Sequence, residues 1–214
     1  MNESIKLAIV DDSPFFRTGL IHLIQAHGNL KIIMECSNGK ELITVLKEAK
    51  QMPDIILLDL EMPVMDGIKT AKYLSKHYPK IKILILTIHQ DYRIIRHLLD
   101  KVNGFLKKEK NIDKVLDAIH TIYQHDFYFA GLDFKKIITD NKPVSASKVN
   151  FTKRELEVLR LICQQYTNKK ISAKLFISIR TVHGHRENIL KKTNTKNATG
   201  LVIYAVKHNL ISDY

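Results

Sequence analysis

The chain has 214 residues, 34 Lys and Arg against 22 Asp and Glu, and a formal net charge of +12, a length that suggests one large or two small domains. Its composition is that of an ordinary soluble globular protein, and no apolar run approaches the ~20 residues that a membrane-spanning helix needs. The opening MNESIKLAIVDDS ends a short apolar run in two acids and is not a signal peptide, while Cys36 and Cys163, far apart in apolar contexts, are expected to be buried, reduced thiols of a cytosolic protein.

From residue 5 to about 125, short apolar runs alternate with amphipathic stretches. The runs are Ile5 to Val10, Leu30 to Cys36, Ile55 to Leu58, Ile81 to Leu86 and Gly104 to Leu106. Most lack period-2 alternation, which fits parallel strands buried on both faces. The stretches between them read as helices. Ser13 can cap the first, with Pro14 at its first position and Gly28 just past its end. Asn38 can cap the second, with Glu41 three residues on. Asp66 can start the third, which must stop before Pro79. Five such units predict an α/β doubly wound, five-stranded parallel sheet.

Polar residues stand where four of the runs end: Asp11 and Asp12 after KLAIV, Asp59 after DIILL, Thr87 after KILIL, and Lys108 after GFLK. If these runs are neighbouring parallel strands, their C-terminal ends share one rim. Three converging carboxylates repel one another, and a divalent cation resolves this. Hard oxygen ligands with room for water and phosphate suit Mg²⁺. A carboxylate held there can act as a nucleophile and form an acyl phosphate, with the hydroxyl and the ammonium meeting the phosphoryl oxygens. Each residue has a duller alternative: a helix cap for the paired acids, a turn residue for Asp59, a strand end for Thr87, a solvated loop for Lys108.

The stretch from about Phe127 to Asn150, with Gly131, Asp140-Asn141 and Pro143, reads as a linker carrying one short helix around Asp133 to Ile138. Helical periodicity follows. Thr152 and Glu155 form a capping box, and Leu156, Leu159, Ile162 and Cys163 make an apolar stripe. A short helix spans Asn168 to Leu175, Phe176-Ile177-Ser178 turns the chain, and Ser178 caps a third helix running to about Lys192. A fourth spans about Ala198 to His208, with Asn209 suited to a left-handed position after it. From Lys148 onward there are 13 Lys/Arg against 4 Asp/Glu, so most of the positive excess lies here. Helix, turn and helix with a basic excess is a double-stranded DNA-binding pattern. Val182, Ile189 and Leu190 are assigned to the core, leaving His183, Gly184, Arg186 and Glu187 facing outward for base edges, with Thr181 beside them. Lys169, Lys170, Arg180, Lys191 and Lys192 are assigned to phosphates. The plain alternative is a small helical bundle with a solvated charged face.

IVDDSPFFRTGL, DIILLDLEMPVMDG, ILILT and GFLKK together resemble the receiver domain of bacterial two-component response regulators, from residue 5 to about 125. That resemblance implies a flavodoxin-like strand order 2-1-3-4-5, Asp59 as phosphoacceptor, and Mg²⁺ held by Asp11, Asp12, Asp59 and the backbone carbonyl of Glu61. It also implies that Thr87 and Lys108 bind the phosphoryl group and that Phe105 is the switch aromatic. Lys108 is preferred over Lys107 because it lies four residues after Gly104. Ile88 is bulky where the family often has a small residue. FTKRELEVLRLI, NKKISAKLFISIRTVHGHRENILKK and AVKHNLI resemble the LuxR-type helix-turn-helix over about residues 148 to 211. The whole chain resembles a NarL/FixJ-type response regulator, with a receiver at 4–125, a linker at 126–147 and a DNA-binding domain at 148–214.

The resemblance implies a cytoplasmic transcription regulator with no membrane segment. A sensor histidine kinase phosphorylates it, its two domains touch before phosphorylation, and it binds promoter DNA as a homodimer. Leu201, Ala205 and His208 would then face a second copy, with Val202 and Val206 in the core; the alternative is that all of these are core. Two competing readings are a phosphorylation-independent DNA binder whose receiver is a protein-interaction module, and a stand-alone phosphatase or Mg²⁺ hydrolase.

Overall fold

The computed structural model describes residues 4–88, 91–108, 111–128, 149–164, 166–195, 197–208 and 210. Five strands alternate with five helices in the first part: β1 (Ile5–Val10), α1 (Pro14–Gln25), β2 (Leu30–Cys36), α2 (Gly39–Glu48), β3 (Ile55–Asp59), α3 (Gly67–His77), β4 (Lys82–Thr87), α4 (Tyr92–Leu98), β5 (Gly104–Lys107) and α5 (Ile112–His125). The helices begin where a short polar side chain can accept an unpaired backbone N–H. Ser13 accepts from Phe16 with Pro14 at the first position, Asn38 accepts from Glu41 at 3.0 Å, and Asp66 accepts from Lys69 at 2.7 Å.

All pairings are parallel, and the strand order is β2-β1-β3-β4-β5. The order reverses between β1 and β3, the place where open α/β sheets form their crevices. Register sets the rim level: Val10 lies beside Leu58, Asp59 beside Leu86, and Thr87 beside Lys107. Both sheet faces are covered. Leu7, Ile9 and Leu57 pack with Ile24 of α1 and Ile119 of α5, while Val10, Ile56 and Leu58 pack with Leu42 of α2, Leu74 of α3 and Ile95 of α4. At ~1.5–3 kcal/mol for each fully buried Leu or Ile, these two layers dominate the stability of the sheet.

Phe127 and Tyr128, placed in the linker by sequence, are buried, and Tyr128 makes a parallel bridge to Gly104. They continue the edge of β5 because the backbone N–H of Tyr128 donates to Asn103 O at 2.8 Å. The short helix expected around Asp133 to Ile138, and the left-handed Asn209, lie outside the described residues.

The C-terminal part contains α6 (Lys153–Cys163), α7 (Asn168–Leu175), α8 (Ile179–Thr193) and α9 (Ala198–Lys207). Thr152 and Glu155 form the expected reciprocal capping box. Ser178 caps α8, and Asn194 ends it in the left-handed region at φ 53°. Val158, Leu159 and Ile162 of α6, Ile171 of α7, Val182 and Ile189 of α8, and Leu201, Val202 and Ala205 of α9 share one core. The placing of Leu201 and Ala205 on a surface for a second copy is therefore corrected. α9 packs on both α6 and α8, so its Leu201, Val202 and Ala205 are used in closing the core.

That core is continuous with the receiver-like part through Leu98, Leu99 and Val102. Thr199 Oγ1 donates to the buried Val102 carbonyl at 3.1 Å, and Asn197 Nδ2 donates to Asp100 O at 3.4 Å. Asn197 also caps α9, so one side chain starts that helix and touches the other domain.

Candidate functional site

Asp11 and Asp12 follow β1, Asp59 ends β3, Thr87 ends β4, and Lys108 follows β5. One oxygen each of Asp11, Asp12 and Asp59 lies within 4.8 Å of the others. Residues 48 positions apart in the chain thus meet at the crevice that the strand order creates. Lys108 Nζ stands 2.7 Å from Asp11 Oδ2 and 2.8 Å from Asp59 Oδ2, with the ammonium almost wholly buried. Its placement is fixed from behind by its own N–H, which donates to Thr87 O at 2.8 Å. Thr87 is buried beside it. Asp12 is exposed, and Glu61 lies exposed on the loop two residues beyond Asp59. Phe105 is buried in β5 on the same face as Ile95 and Leu98.

The other oxygen of Asp59 accepts from Leu60 N at 2.8 Å, and Asp11 Oδ1 accepts from Ser13 N at 3.0 Å. Burial pushes the Asp59 carboxyl above its usual range. Lys108 opposes that by hydrogen bond and charge, and Asp11 reinforces it. A carboxylate that is poorly solvated yet anchored through one oxygen keeps nucleophilic capacity on the other. The donor set of three carboxylates, all hard oxygens with one open to solvent, fits Mg²⁺.

Sequence reasoning missed three neighbours. Arg17 Nη1 donates to Asp11 O at 2.5 Å. The Phe16 ring lies 4.6 Å from Lys108 Nζ, a cation–π contact. Gly67 lets the start of α3 touch the Asp59 backbone: an added β-carbon would stand 2.0 Å from Asp59 O. The glycine in DLEMPVMDG was visible, but its contact with Asp59 depends on where the loop returns.

In the C-terminal part, α7 and α8 form the helix-turn-helix, with Phe176 in the left-handed region at the turn. Lys169, Lys170, Arg180, Thr181, His183, Gly184, Glu187 and Lys191 are exposed. Lys192 is exposed as well, and its Nζ also bonds Glu155 Oε2 at 2.6 Å and Asn150 O at 3.0 Å, because the buried Glu155 carboxylate needs a counter-charge. One expectation is corrected. Arg186 does not face outward: its side chain is 12% exposed and its Nη2 stands 3.0 Å from Asp126 Oδ2. Its Nη1 donates to Asn168 Oδ1 at 2.9 Å. Burial pulls the guanidinium pKa down and Asp126 pulls it back. Asp126 sits in the left-handed position after α5 at φ 74° and also holds Lys82 Nζ at 2.8 Å.

A family profile described as the response regulator receiver domain matches residues 7–120, and one described as bacterial regulatory proteins of the luxR family matches residues 149–205. The chain belongs to the NarL/FixJ-type response regulators. It is similar to the response regulator protein VraR of Staphylococcus epidermidis, 33% identical over 209 residues, covering 97% of this chain and 99% of that protein. It is 30% identical over 217 residues to the oxygen regulatory protein NreC of Staphylococcus carnosus, covering 97% and 99%. Among solved structures, RcsB dimers bound to DNA share the fold at TM-score 0.57 and 22% identity, covering 96% and 99%. The response regulator ChrA of a heme-sensing two-component system matches at TM-score 0.51 and 26% identity, covering 97% and 99%.

In this response regulator the acidic pocket and the helix-turn-helix lie on the two domains of one chain. The segment between them in the fold is β5, its preceding loop and α5, which carry Phe105, Val102 and Asp126.

Proposed function

We propose that the chain is a phosphorylation-dependent, DNA-binding transcription regulator of a two-component system, with Asp59 accepting a phosphoryl group from a sensor histidine kinase. The observation that carries this is the meeting of Asp11, Asp12 and Asp59 within 4.8 Å under the Lys108 ammonium. Asp11, Asp12, Asp59 and the Glu61 carbonyl would hold Mg²⁺, which supplies positive charge to the phosphoryl oxygens. Lys108 adds a second fixed charge, and Thr87 offers its hydroxyl to the phosphorylated carboxylate. The chain assists its own phosphorylation and is not otherwise an enzyme.

Phosphorylation draws Lys108 and Thr87 toward the new group and lets Phe105 repack in β5, shifting a two-state face that includes the Val102 loop. That loop holds Thr199 and Asn197, and Asp126 holds Arg186, so the same shift loosens α8 from the receiver. Lys169, Lys170, Arg180, Thr181, His183, Gly184, Arg186, Glu187, Lys191 and Lys192 then meet promoter DNA, as a homodimer. The receiver takes residues 4–125 and the reader 148–214, joined by 126–147. The protein works in the cytoplasm. No helix among the described residues is long and apolar enough to cross a membrane, and both cysteines are buried with thiol pKa values pushed up to about 12 by burial, which keeps them protonated.

Incubation with a small phosphodonor and Mg²⁺, followed by intact-mass measurement, tests this. The expected result is a gain of one phosphoryl mass that is absent in Asp59→Asn and in EDTA. No adduct on the wild type would support a phosphorylation-independent binder, and rapid donor turnover without adduct would support a hydrolase.

A further inference from the structure

α1 reaches the carboxylate cluster with two successive side chains. Cα–Cβ bonds in a helix tilt toward its N-terminus, so a residue in the first turn covers the chain just before the helix. α1 is pinned at that end by the Ser13 cap and by Pro14 at its first position. Phe16 therefore falls over the Lys108 ammonium, its ring centroid 4.6 Å from Nζ. Arg17, one position on, reaches back to the exit of β1, where its Nη1 donates to Asp11 O at 2.5 Å. Arg17 is half-buried, and among the described residues this is its one side-chain hydrogen bond.

That carbonyl belongs to the peptide joining Asp11 to Asp12. A peptide is planar, so holding its oxygen sets the plane from which the Asp12 side chain departs. Asp11 has other anchors. Its N–H donates to Cys36 O at 3.1 Å, its Oδ1 accepts from Ser13 N at 3.0 Å, and its Oδ2 stands 2.7 Å from Lys108 Nζ. Asp12 is exposed, so packing does not aim its carboxylate; the backbone before it does. One oxygen of that carboxylate nevertheless lies within 4.8 Å of oxygens of Asp11 and Asp59. The Arg17 bond that fixes this backbone is charge-assisted, and so stronger than a neutral one.

We propose that Arg17 is a positioning residue for the metal: through the Asp11 carbonyl it aims Asp12 at the cation. It thereby strengthens Mg²⁺ binding although its own charge opposes a cation. This rests on the carboxylate cluster being the Mg²⁺ site proposed above. Orientation and charge push in opposite directions. Loss of the Arg17 charge alone would tighten Mg²⁺ binding, because like charges repel. Loss of the aim would weaken it, as removal of groups that orient metal ligands does. The sign of the change identifies the role.

The test is Mg²⁺ titration of the full chain, followed by backbone amide chemical shifts. Arg17→Met keeps an apolar stem and removes bond and charge together. It should raise the half-saturating Mg²⁺ concentration about tenfold, the low end for an orienting group, because the charge effect works against it. Arg17→Lys keeps the charge but not the planar fork, and its affinity should fall between the two. Phosphorylation by a small phosphodonor should need correspondingly more Mg²⁺ in Arg17→Met, and should reach a rate within about twofold of wild type at saturation, as for a loss confined to binding. Equal or tighter Mg²⁺ binding in Arg17→Met overturns the positioning role and leaves the metal site standing. Urea unfolding without Mg²⁺ checks that Arg17→Met is folded. If it is not, Arg17→Lys decides, a weaker affinity supporting the role and an unchanged one overturning it. Absence of Mg²⁺ binding in the wild type overturns the metal site itself, and the positioning role with it.

Discussion

At Gly67 an added β-carbon would stand 2.0 Å from the carbonyl oxygen of Asp59 and 2.8 Å from the Leu60 α-carbon. Both are backbone atoms of the β3 end, so neither can rotate away, and the loop carrying the acceptor must shift instead. Gly67 N also donates to Leu60 O at 2.9 Å, tying α3 to the same turn. Gly67→Ala is expected to destabilise the protein by about 1–3 kcal/mol, the usual range for overpacking, and to slow Asp59 phosphorylation by at least about tenfold, as misplaced reacting groups do. Urea unfolding and the intact-mass assay check the two effects. Normal stability with normal phosphorylation would mean that the loop has slack that the close approach denies. Lys108 makes the complementary point. Its ammonium lies between two buried carboxylates, and the sequence alone could equally have put it in a solvated loop.

α6 shows how one helix end is stabilised twice. Thr152 Oγ1 accepts from Glu155 N at 3.2 Å, and Glu155 Oε2 accepts from Thr152 N at 2.7 Å. Replacing a capping Thr by Ala costs about 1 kcal/mol, so Thr152→Ala should lower the unfolding midpoint with an unchanged denaturant slope. Glu155 carries a second, pH-dependent part. Burial works to raise its pKa, but Lys192 and the Thr152 groups outweigh it and hold the carboxyl below its usual range. A folded pKa below the unfolded value of about 4.3 gives stability that is full above that value. It is lost as pH falls through the folded value. Lys192→Met should therefore be less stable than wild type at pH 7, and the two unfolding curves should converge under acid conditions. A gap that persists at low pH would show that packing of the Lys192 stem, rather than the charge pair, provides the stability.

At the scale of the whole molecule, Asp126 joins the receiver to the reader. It ends α5, pairs Lys82 at 2.8 Å and pairs Arg186 of α8 at 3.0 Å. On the proposed function, Arg186 is one of the residues that meet DNA, so its guanidinium would serve either the interdomain contact or DNA. Asp126→Asn weakens the closed arrangement without deleting volume. Its carboxylate is partly solvated, so the pair is worth at most about 1 kcal/mol, the upper end for exposed pairs, rather than the value of a buried one. The unphosphorylated variant should bind promoter DNA a few-fold more tightly, measured by fluorescence anisotropy at fixed salt, because a ligand gains affinity when its competent state is more populated. Arg186→Ala should bind more weakly in both phosphorylation states. Unchanged DNA affinity in Asp126→Asn would place the interdomain restraint in the Val102–Thr199 and apolar contacts instead.

The sequence by itself determined the strand runs, the helix starts at Ser13, Asn38, Asp66 and Thr152, the sheet order through its resemblance, and the four rim positions. These were legible because period, capping and strand-end placement are local properties, encoded within a few residues of where they act. The tertiary structure decided which rim charges touch, that Gly67 lies against Asp59, that Arg186 turns inward to Asp126, and that Lys192 serves Glu155. It also decided that Leu201 and Ala205 close a core rather than a copy–copy contact. Each of those depends on where two segments distant in the chain come to rest. A surface-patterned Arg and a buried, paired Arg look the same in sequence, because the carboxylate that distinguishes them lies 60 residues away.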